Sequence, residues 1–250
     1  YLNNNERVGA MIWDGSSNTF GDQFADNAGT ATITSDERAF DIAWETNSGT
    51  PMVFWGTTGN LLTMREFTGG SWQAESTVTS GFTNDLDWVF AAADPVSSSN
   101  NISLAMQDST SCVARFAVWT GSSASTWGTT PACPSVTTNN LVETAFENDT
   151  GQAMFVYVAN TADDDDISWL TWTSGGGFNG PTTESMNPNV IERLALFSDL
   201  NTTSMMLLFH DNATTCDLFS ITWDGADWST MGTAEYDNMC ASADDSTLPY

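Results

Sequence analysis

One short pattern recurs five times along the 250 residues at nearly constant spacing. It begins with an aromatic residue, continues through small residues that include glycine, and ends with a second aromatic residue. The leading aromatic residues are separated by 54, 52, 53 and 51 positions: Trp13, Phe67, Trp119, Trp172 and Trp223. A period in this range is typical of repeat architectures such as solenoids and propellers. The chain is therefore predicted to consist of units of about 50 residues each.

Each unit divides into four short strands separated by Gly, Asn, Ser and Thr. In the clearest unit the predicted strands are 38–46, 51–56, 61–67 and 72–78. Four short antiparallel strands in succession are typical of a propeller blade. The equivalent strands of the later units are expected at 86–93, 101–107 and 112–119, at 141–147, 152–158 and 167–172, and at 191–198, 204–210 and 216–223, with fourth strands beginning near 127, 178 and 228. No segment is predicted to be helical.

We predict an all-β fold, a five-bladed β-propeller of four-stranded antiparallel blades whose fifth blade is incomplete within the chain. The predicted blades span 36–80, 84–131, 139–185 and 189–233, with part of a blade at 1–30 and a segment at 234–250 that leads into the incomplete blade. A longer polypeptide, a thin fifth blade or strands donated by a neighbouring chain would each explain the missing hairpin. An open sheet edge is a template for strand addition, and contacts of this heterologous type grow filaments.

The charge balance excludes some partners. The chain has 32 acidic residues and five basic residues, and its net charge is −27. All five basic residues are arginines. Because such a chain repels phosphate groups, nucleic acids and anionic membrane surfaces are poor partners. No run of 18 apolar residues is present, so membrane insertion is not expected either.

The four cysteines occupy matching positions in two units. Cys112 and Cys216 each lie seven residues before the leading tryptophan of their unit, and Cys133 and Cys240 follow that tryptophan by 14 and 17 residues. We choose the pairing Cys112–Cys133 and Cys216–Cys240 from three possible connectivities. Disulfides indicate an oxidising compartment, so an extracellular or cell-surface location is predicted. Four glycosylation sequons agree with this: Asn101, Asn148, Asn201 and Asn212.

An acidic residue follows an apolar one in each first strand. These residues are Asp41, Asp87, Glu143 and Glu192. The first strand of a blade lines the central channel, so the carboxylates are expected to approach one another near the axis. They would form a site for a cation or a polar ligand, or they would line a water-filled channel and be partly neutralised by Arg38 and Arg193.

Other candidate sites are less specific. Four adjacent carboxylates, Asp163, Asp164, Asp165 and Asp166, are the only candidate for calcium, although they lack EF-hand spacing and also suit a solvated loop. No other cofactor is predicted. His210 is the only histidine and has no evident Ser or Cys partner, so no catalytic residue is assigned. Trp72, Trp127 and Trp228 would stack on sugar rings or fill the gaps between blades.

The turn that begins at Trp223 and ends at Trp228 resembles the Asp box of sialidase-type propellers. The tryptophan-rich repeats also resemble those of fucose-binding propeller lectins. This resemblance implies an extracellular β-propeller and no more than that. Only Asp14 and Asp224 supply the acid of the Asp box, and the serine spacing differs. The arginine trio and the catalytic tyrosine of sialidases have no counterparts that can be assigned here.

Three functions fit these features. The first is a non-catalytic extracellular structural or adhesive protein, a subunit of a surface filament or layer that joins copies of itself or a neighbouring chain through its open blade. The second is a carbohydrate-binding, lectin-like propeller with glycans as partners. The third is a glycoside hydrolase, which needs two carboxylates about 5–10 Å apart.

Overall fold

The computed structural model describes residues 2–3, 7–25, 38–57, 60–80, 84–108, 113–127, 140–158, 166–186, 190–211 and 216–236. All regular structure in these ranges is β-strand, and no helix occurs in them. The strands are β1 (Leu2–Asn3), β2 (Arg7–Asp14), β3 (Thr19–Ala25), β4 (Phe40–Trp44), β5 (Pro51–Thr57), β6 (Leu61–Thr68), β7 (Ser71–Trp72), β8 (Ser76–Ser80), β9 (Leu86–Ala93), β10 (Asn101–Asp108), β11 (Ala114–Thr120), β12 (Ala124–Trp127), β13 (Val142–Phe146), β14 (Ala153–Val158), β15 (Asp166–Thr173), β16 (Gly177–Ser185), β17 (Ile191–Ser198), β18 (Met205–Asp211) and β19 (Leu218–Trp223).

The strands form five antiparallel sheets in chain order. We number them sheet 1 (β1–β3), sheet 2 (β4–β8), sheet 3 (β9–β12), sheet 4 (β13–β16) and sheet 5 (β17–β19). Sheets 3 and 4 have the predicted four strands. In sheet 2 the fourth strand is split into β7 and β8, and both pieces pair with β6. The predicted antiparallel meander is therefore confirmed in the middle of the molecule.

Burial explains why the second strands are so apolar. Every residue of β5 and of β14 is buried, because a neighbouring sheet packs on each face. Phe155 on β14, for example, lies with its ring centroid 5.2 Å from that of Phe116 in sheet 3. The apolar core is therefore a series of layers between successive sheets.

The sheets are closest to one another at their first strands. The amide of Val89 on β9 donates to the carbonyl of Arg38 beside β4 at 2.9 Å, and Leu194 on β17 donates to Asn140 beside β13 at 3.1 Å. At Gly56 an added Cβ would lie 2.6 Å from the Cβ of Leu86, so only glycine allows this approach of sheets 2 and 3. Sheets that stack with their first strands innermost are the blades of a β-propeller. The number of blades in the complete ring stays a prediction.

The two end sheets differ from the prediction. Sheet 1, where part of a blade is predicted at 1–30, contains the hairpin of β2 and β3, and β1 also pairs with the start of β2. In sheet 5 the fourth strand predicted near Trp228 is reduced to single bridges, Trp223 to Trp228 and Leu218 to Tyr236. No fifth-blade hairpin beside these sheets lies within the described residues.

The hairpins pair their flanking aromatic residues in four sheets, as the repeat pattern predicts. The pairs are Trp13 with Phe20, Phe67 with Trp72, Trp172 with Phe178, and Trp223 with Trp228. Sheet 3 departs from this, because its tight turn at Thr120–Ser123 brings Ala124 opposite Trp119. Its fourth strand was expected to begin near Trp127 and instead ends there.

Candidate binding cavity

A cavity of about 770 Å³ opens where the first strands of sheets 2 to 5 converge. We call it the channel cavity. Residues of β18 and β19 continue its wall. The lining is mainly aromatic and aliphatic: Phe40, Trp88, Phe90, Phe197, Phe209, Leu194, Ala195, Leu208 and Leu218. The polar side chains that line it are Arg38, Asn140, Glu143, Arg193 and His210.

Arg38 and Asp41 connect sheets 2 and 3 at this cavity. The guanidinium of Arg38 forms an ion pair with Asp41 at 2.5 Å and lies over the ring of Phe90, 5.4 Å from its centroid. The second carboxylate oxygen of Asp41 accepts the backbone N–H of Ala91 on β9 at 2.9 Å. A cation held over an aromatic ring gains electrostatic stabilisation from the ring face. Arg38 is thus positioned from two sides.

Glu143 lines the cavity from β13. The side-chain amide of Asn140 donates to it at 3.2 Å and also donates to the carbonyl of Leu194 at 2.9 Å. Burial raises the pKa of Glu143 to about 8, although the Asn140 amide and the charge of Arg38 act in the opposite direction. Glu143 is therefore protonated at neutral pH, and its carboxyl group donates as well as accepts hydrogen bonds.

The wall formed by sheet 5 carries His210 and Phe197. The Nδ1 of His210 lies 3.3 Å from the carbonyl of Asp211, and its buried Nε2 has no hydrogen-bond partner among the described residues. Phe197 is 55% exposed because this face of sheet 5 has no described neighbour. The cavity is therefore more open on this side.

The expected cluster of carboxylates on the channel is only partly formed. Glu143 lines the cavity, and Asp41 lies close enough to raise its pKa. Asp87 is buried, with 2% of its surface exposed, and does not line the cavity. Glu192 does not line it either. Both of these residues occupy the extra position of a β-bulge, which moves them out of the strand alternation.

The predicted tryptophan platforms are also only partly supported. Trp72 packs edge-on against Phe24 and Phe67, and its indole N–H donates to the carbonyl of Asp22. It fills the gap between sheets 1 and 2. Trp228 is half-buried against Trp223, with centroids 5.5 Å apart. The backbone of Trp127 ends β12, but its side chain lies outside the described part of the structure. None of the three lines the channel cavity.

The acids of the Asp-box-like turns stabilise their own hairpins. Asp14 accepts hydrogen bonds from the hydroxyls of Ser16 and Ser17, both at 2.7 Å, and these bonds lower its pKa to about 2. Asp224 accepts the backbone N–H groups of Ala226 and Asp227 at 2.9 Å each. Both carboxylates are exposed and point to a structural role in the turn.

The modification and metal predictions fall mostly outside the described residues. Cys216 is disulfide-bonded, but Cys112, Cys133 and Cys240 lie outside the described residues, so the pairing stays a prediction. Asn212 and residues 163–165 lie outside them as well, and Asp166 begins β15. Asn101 donates to Asp94, Asn148 lies in a turn, and Asn201 is exposed.

No group of three His, Cys, Asp or Glu side chains among the described residues could hold a metal ion. The same residues include no helix that could cross a membrane.

Sequence reasoning missed the aromatic wall of the cavity and Asn140. The signal was present in the first strands, where Arg38 and Phe40 on one, and Trp88 and Phe90 on another, are two residues apart. Residues i and i+2 of a strand share a face. The face could therefore be identified, but not the fact that it lines a cavity.

The chain matches no protein-family model and no curated protein sequence. It is similar to solved structures at low identity. These include AofleA from Arthrobotrys oligospora (TM-score 0.55, 14% identity, 92% of this chain and 65% of that one) and Aleuria aurantia lectin in complex with α-methyl-L-fucoside (TM-score 0.51, 16% identity, 93% and 71%).

A third similar structure is the α-L-arabinanase of Penicillium chrysogenum in complex with arabinobiose (TM-score 0.50, 9% identity, 82% and 68%). The chain spans about two thirds of the length of these proteins. The Aleuria aurantia lectin is described as a six-bladed β-propeller. At these identities the likeness shows the fold alone, which is a β-propeller.

Proposed function

We propose that this chain is a carbohydrate-binding β-propeller and that the channel cavity is its sugar site. The observation that supports this best is the lining of the cavity, in which aromatic rings surround a few converging polar groups. Sugar rings have apolar faces and polar edges. A concave site with aromatic walls and a small number of placed hydrogen-bonding groups suits such a ligand.

The polar groups have suitable chemistry for hydroxyl groups. Arg38 and Asn140 donate hydrogen bonds, and the protonated Glu143 both donates and accepts. Two of the similar structures hold sugars, α-methyl-L-fucoside in the Aleuria aurantia lectin and arabinobiose in the Penicillium chrysogenum arabinanase. These ligands are reasonable first probes for this chain.

Isothermal titration calorimetry with α-methyl-L-fucoside and arabinobiose, together with a glycan array, tests the proposal. We expect at least one glycan to bind. Phe90→Ala and Glu143→Leu should each weaken binding about tenfold or more, because a buried polar or aromatic contact contributes about 1–3 kcal/mol and Leu, unlike Gln, neither donates nor accepts a hydrogen bond. Phe20→Ala is the matched control, since Phe20 is 64% exposed on sheet 1 and does not line the cavity.

Failure of every glycan to bind would contradict the proposal, and so would equal binding by the cavity variants and the control. Hydrolysis is not part of it, because Glu143 is the sole carboxylate among the described lining residues. Retaining and inverting hydrolases normally use two carboxylates. Calcium is not proposed either.

The proposal includes five blades with the boundaries given above, the fifth of them incomplete within the chain. Its support is the five sheets of the described residues. Class averages from electron microscopy of the purified protein would test the count. Five lobes are expected, and six would contradict it.

An extracellular or cell-surface location is also part of the proposal. The disulfide bond of Cys216 supports it, because disulfides persist in oxidising compartments. Mass spectrometry without reduction should find Cys112 linked to Cys133 and Cys216 linked to Cys240, and would show whether the four sequon asparagines carry glycans. Free thiols would contradict both the pairing and the location.

A second candidate function is assembly with copies of the same chain, as expected of a structural or adhesive protein. The observation that favours it is the exposure of large apolar side chains on the two end sheets, Phe20 on sheet 1 and Phe197 on sheet 5. Contiguous exposed apolar surface commonly marks an interaction site. Sedimentation velocity over a range of concentrations tests it, with concentration-dependent growth expected and a constant monomer contradicting it.

A further inference from the structure

Two tryptophans join neighbouring sheets in the same way. The indole N–H of Trp119 in sheet 3 donates to Glu45 in sheet 2 at 2.8 Å, and that of Trp223 in sheet 5 donates to Glu147 in sheet 4 at 2.7 Å. In both cases the tryptophan is the last or next-to-last residue of the third strand, and the acid directly follows the first strand of the preceding sheet. We call this contact the indole–acid bridge. All four side chains are buried.

The acid of each bridge is held by its own turn. The backbone N–H of Glu45 donates to the carbonyl of Thr50, and Ser48, three residues after the acid, donates its hydroxyl to the carboxylate at 2.5 Å. Glu147 repeats this geometry with Gln152 and with the hydroxyl of Thr150. The carboxylate is therefore oriented before the indole reaches it, which lowers the cost of forming the bridge.

Asp199 in sheet 5 has the same preorganised turn but no indole. Its N–H donates to the carbonyl of Ser204, and its carboxylate accepts the hydroxyl of Thr202, again three residues later, at 2.9 Å. The N–H of Asn201 also donates to it at 2.9 Å. These hydrogen bonds, that of Asn201 first, lower the pKa of Asp199, so it is charged at neutral pH. Unlike Glu45 and Glu147, it is exposed.

Trp13 in sheet 1 is the converse case. It is the next-to-last residue of β2, a position in the strand like that of Trp119 in β11, but it is 49% exposed. No described residue accepts a hydrogen bond from its indole. Among the described residues, Trp13 therefore has the indole of the bridge without an acid, and Asp199 has the acid without an indole.

We propose that Trp13 of one copy of this chain binds Asp199 of a second copy through an indole–acid bridge. This contact joins sheet 1 of the first copy to sheet 5 of the second, and the inference rests on the second proposed function. Within one chain Trp13 and Asp199 are both exposed, so they do not satisfy each other there. A second copy presents the missing group to each of them. The contact is heterologous, since the two surfaces differ, and it therefore propagates head to tail.

The surroundings of the two groups match this partner. On sheet 1, Met11 and Phe20 are exposed on the same side as Trp13. On sheet 5, Phe197 and Met206 are 55% and 43% exposed on the face opposite the one packed against sheet 4. Docking would bury apolar surface on both copies around one hydrogen bond from an indole to a carboxylate, as happens between sheets 2 and 3 and between sheets 4 and 5. It would also cover the open wall of the channel cavity.

Sedimentation velocity of the full chain and of Trp13→Phe and Asp199→Asn variants tests the inference. Each variant should weaken association roughly 10- to 100-fold, because a hydrogen bond to a charged group contributes about 1.5–3 kcal/mol and each 1.4 kcal/mol is tenfold. The control for the first is Trp44→Phe, since Trp44 is also 49% exposed. The control for the second is Asp224→Asn, another exposed acid that accepts two hydrogen bonds within its turn. Both controls should associate as the unchanged chain does.

The outcomes separate the two claims. If the unchanged chain is a monomer at all concentrations, both self-assembly and the bridge are wrong, and the end surfaces are covered in some other way. If it assembles and the two bridge variants assemble equally well, self-assembly stands and the bridge is wrong.

A mixing experiment identifies the second copy directly. One preparation carries Gly15→Cys, whose Cβ would lie 4.0 Å from the indole nitrogen of Trp13, and another carries Leu200→Cys, which is beside Asp199 and 79% exposed. Both keep Trp13 and Asp199, and a short thiol-reactive bifunctional linker is added to each alone and to the mixture. The inference predicts cross-linked dimers in the mixture and few in either preparation alone. Equal cross-linking in all three, or none in the mixture, would overturn it.

Discussion

The same repeat has different environments in the middle and at the ends of this molecule. Between sheets 4 and 5, Trp223 is 3% exposed and its acid, Glu147, is 2% exposed. The equivalent residues at the ends, Trp13 and Asp199, are both exposed. The turn that holds the acid is nearly the same in the two places, with a threonine hydroxyl three residues later donating to the carboxylate. The comparison shows that the turn chemistry belongs to each repeat, whereas burial belongs to the pair of neighbouring sheets.

The largest difference in stability should be found between truncation of a phenylalanine buried between two sheets and truncation of one exposed on an end sheet. Phe155 is fully buried between sheets 3 and 4, and Phe197 is 55% exposed on sheet 5. Phe155→Ala should lower the free energy of unfolding by about 3–5 kcal/mol, because it leaves a cavity. Phe197→Ala should change it by less than about 0.5 kcal/mol. Denaturant titration of dilute protein measures both, and equal losses would break the comparison.

Two carboxyl groups should respond to pH in opposite directions. Burial raises the pKa of Glu143 from 4.5 to about 8. The folded state therefore holds a proton that the unfolded state has lost, and stability should fall as pH rises through that window, on the order of 1 kcal/mol per pH unit. Thermal midpoints between those pH values should show a shallower slope for Glu143→Gln, and an unchanged slope would contradict the assignment.

The pKa of Asp199 is lowered by its turn. Its contribution is present above the ordinary pKa of 3.8 and is lost as pH falls below that value. Asp199→Asn should therefore alter the acid limb of the stability profile and leave the limb above pH 5 unchanged. A change confined to the neutral range would count against this assignment.

A smaller difference in stability is expected between Trp223, which forms an indole–acid bridge, and Trp13, which forms none with the described residues of its own chain. Trp223→Phe removes the donor to Glu147 while keeping most of the ring, and should cost about 1–3 kcal/mol because a buried carboxylate loses a hydrogen bond. Trp13→Phe should cost less than about 0.5 kcal/mol in dilute protein. Denaturation curves of the two variants measure the loss in the free energy of unfolding. A larger loss for Trp13→Phe than for Trp223→Phe would contradict the prediction.

The smallest effect concerns two glycines that each follow a Trp-Asp pair, Gly225 and Gly15. Gly225 has a φ of 99°, and an added Cβ would lie 2.7 Å from the hydroxyl of Thr203. Gly225→Ala should lower stability by about 1–2 kcal/mol, and the bulkier Gly225→Val should lower the thermal midpoint further. Gly15→Ala should have little effect, because its nearest neighbour would be 4.0 Å away. Unchanged midpoints for both Gly225 variants would contradict the turn assignment.

Much of the fold follows from the sequence because each strand carries a local signal. The first strands predicted at 86–93 and 191–198 coincide with β9 and β17. The fourth strands were less predictable, because the outermost strand of a sheet has few apolar contacts to specify its start. Trp127 ends β12, and Trp228 makes only a bridge.

The channel was only partly predictable for a different reason. Strand alternation correctly brings Glu143 to the channel, but Asp87 and Glu192 lie at bulges that alternation cannot anticipate. The indole–acid bridges join residues 74 and 76 positions apart. Such contacts depend on how sheets stack, although Glu45, Glu147 and Asp199 do share an offset from their first strands that the sequence displays.

The central claim is that packing against neighbouring sheets, more than the sequence of the repeat itself, determines the local stability of each sheet. Hydrogen–deuterium exchange of the dilute chain tests this claim most directly. The account predicts the slowest exchange in β10 and β14, which have a sheet on each side, and faster exchange in β2 and β19. Protection of β2 and β19 equal to that of β14 would contradict it.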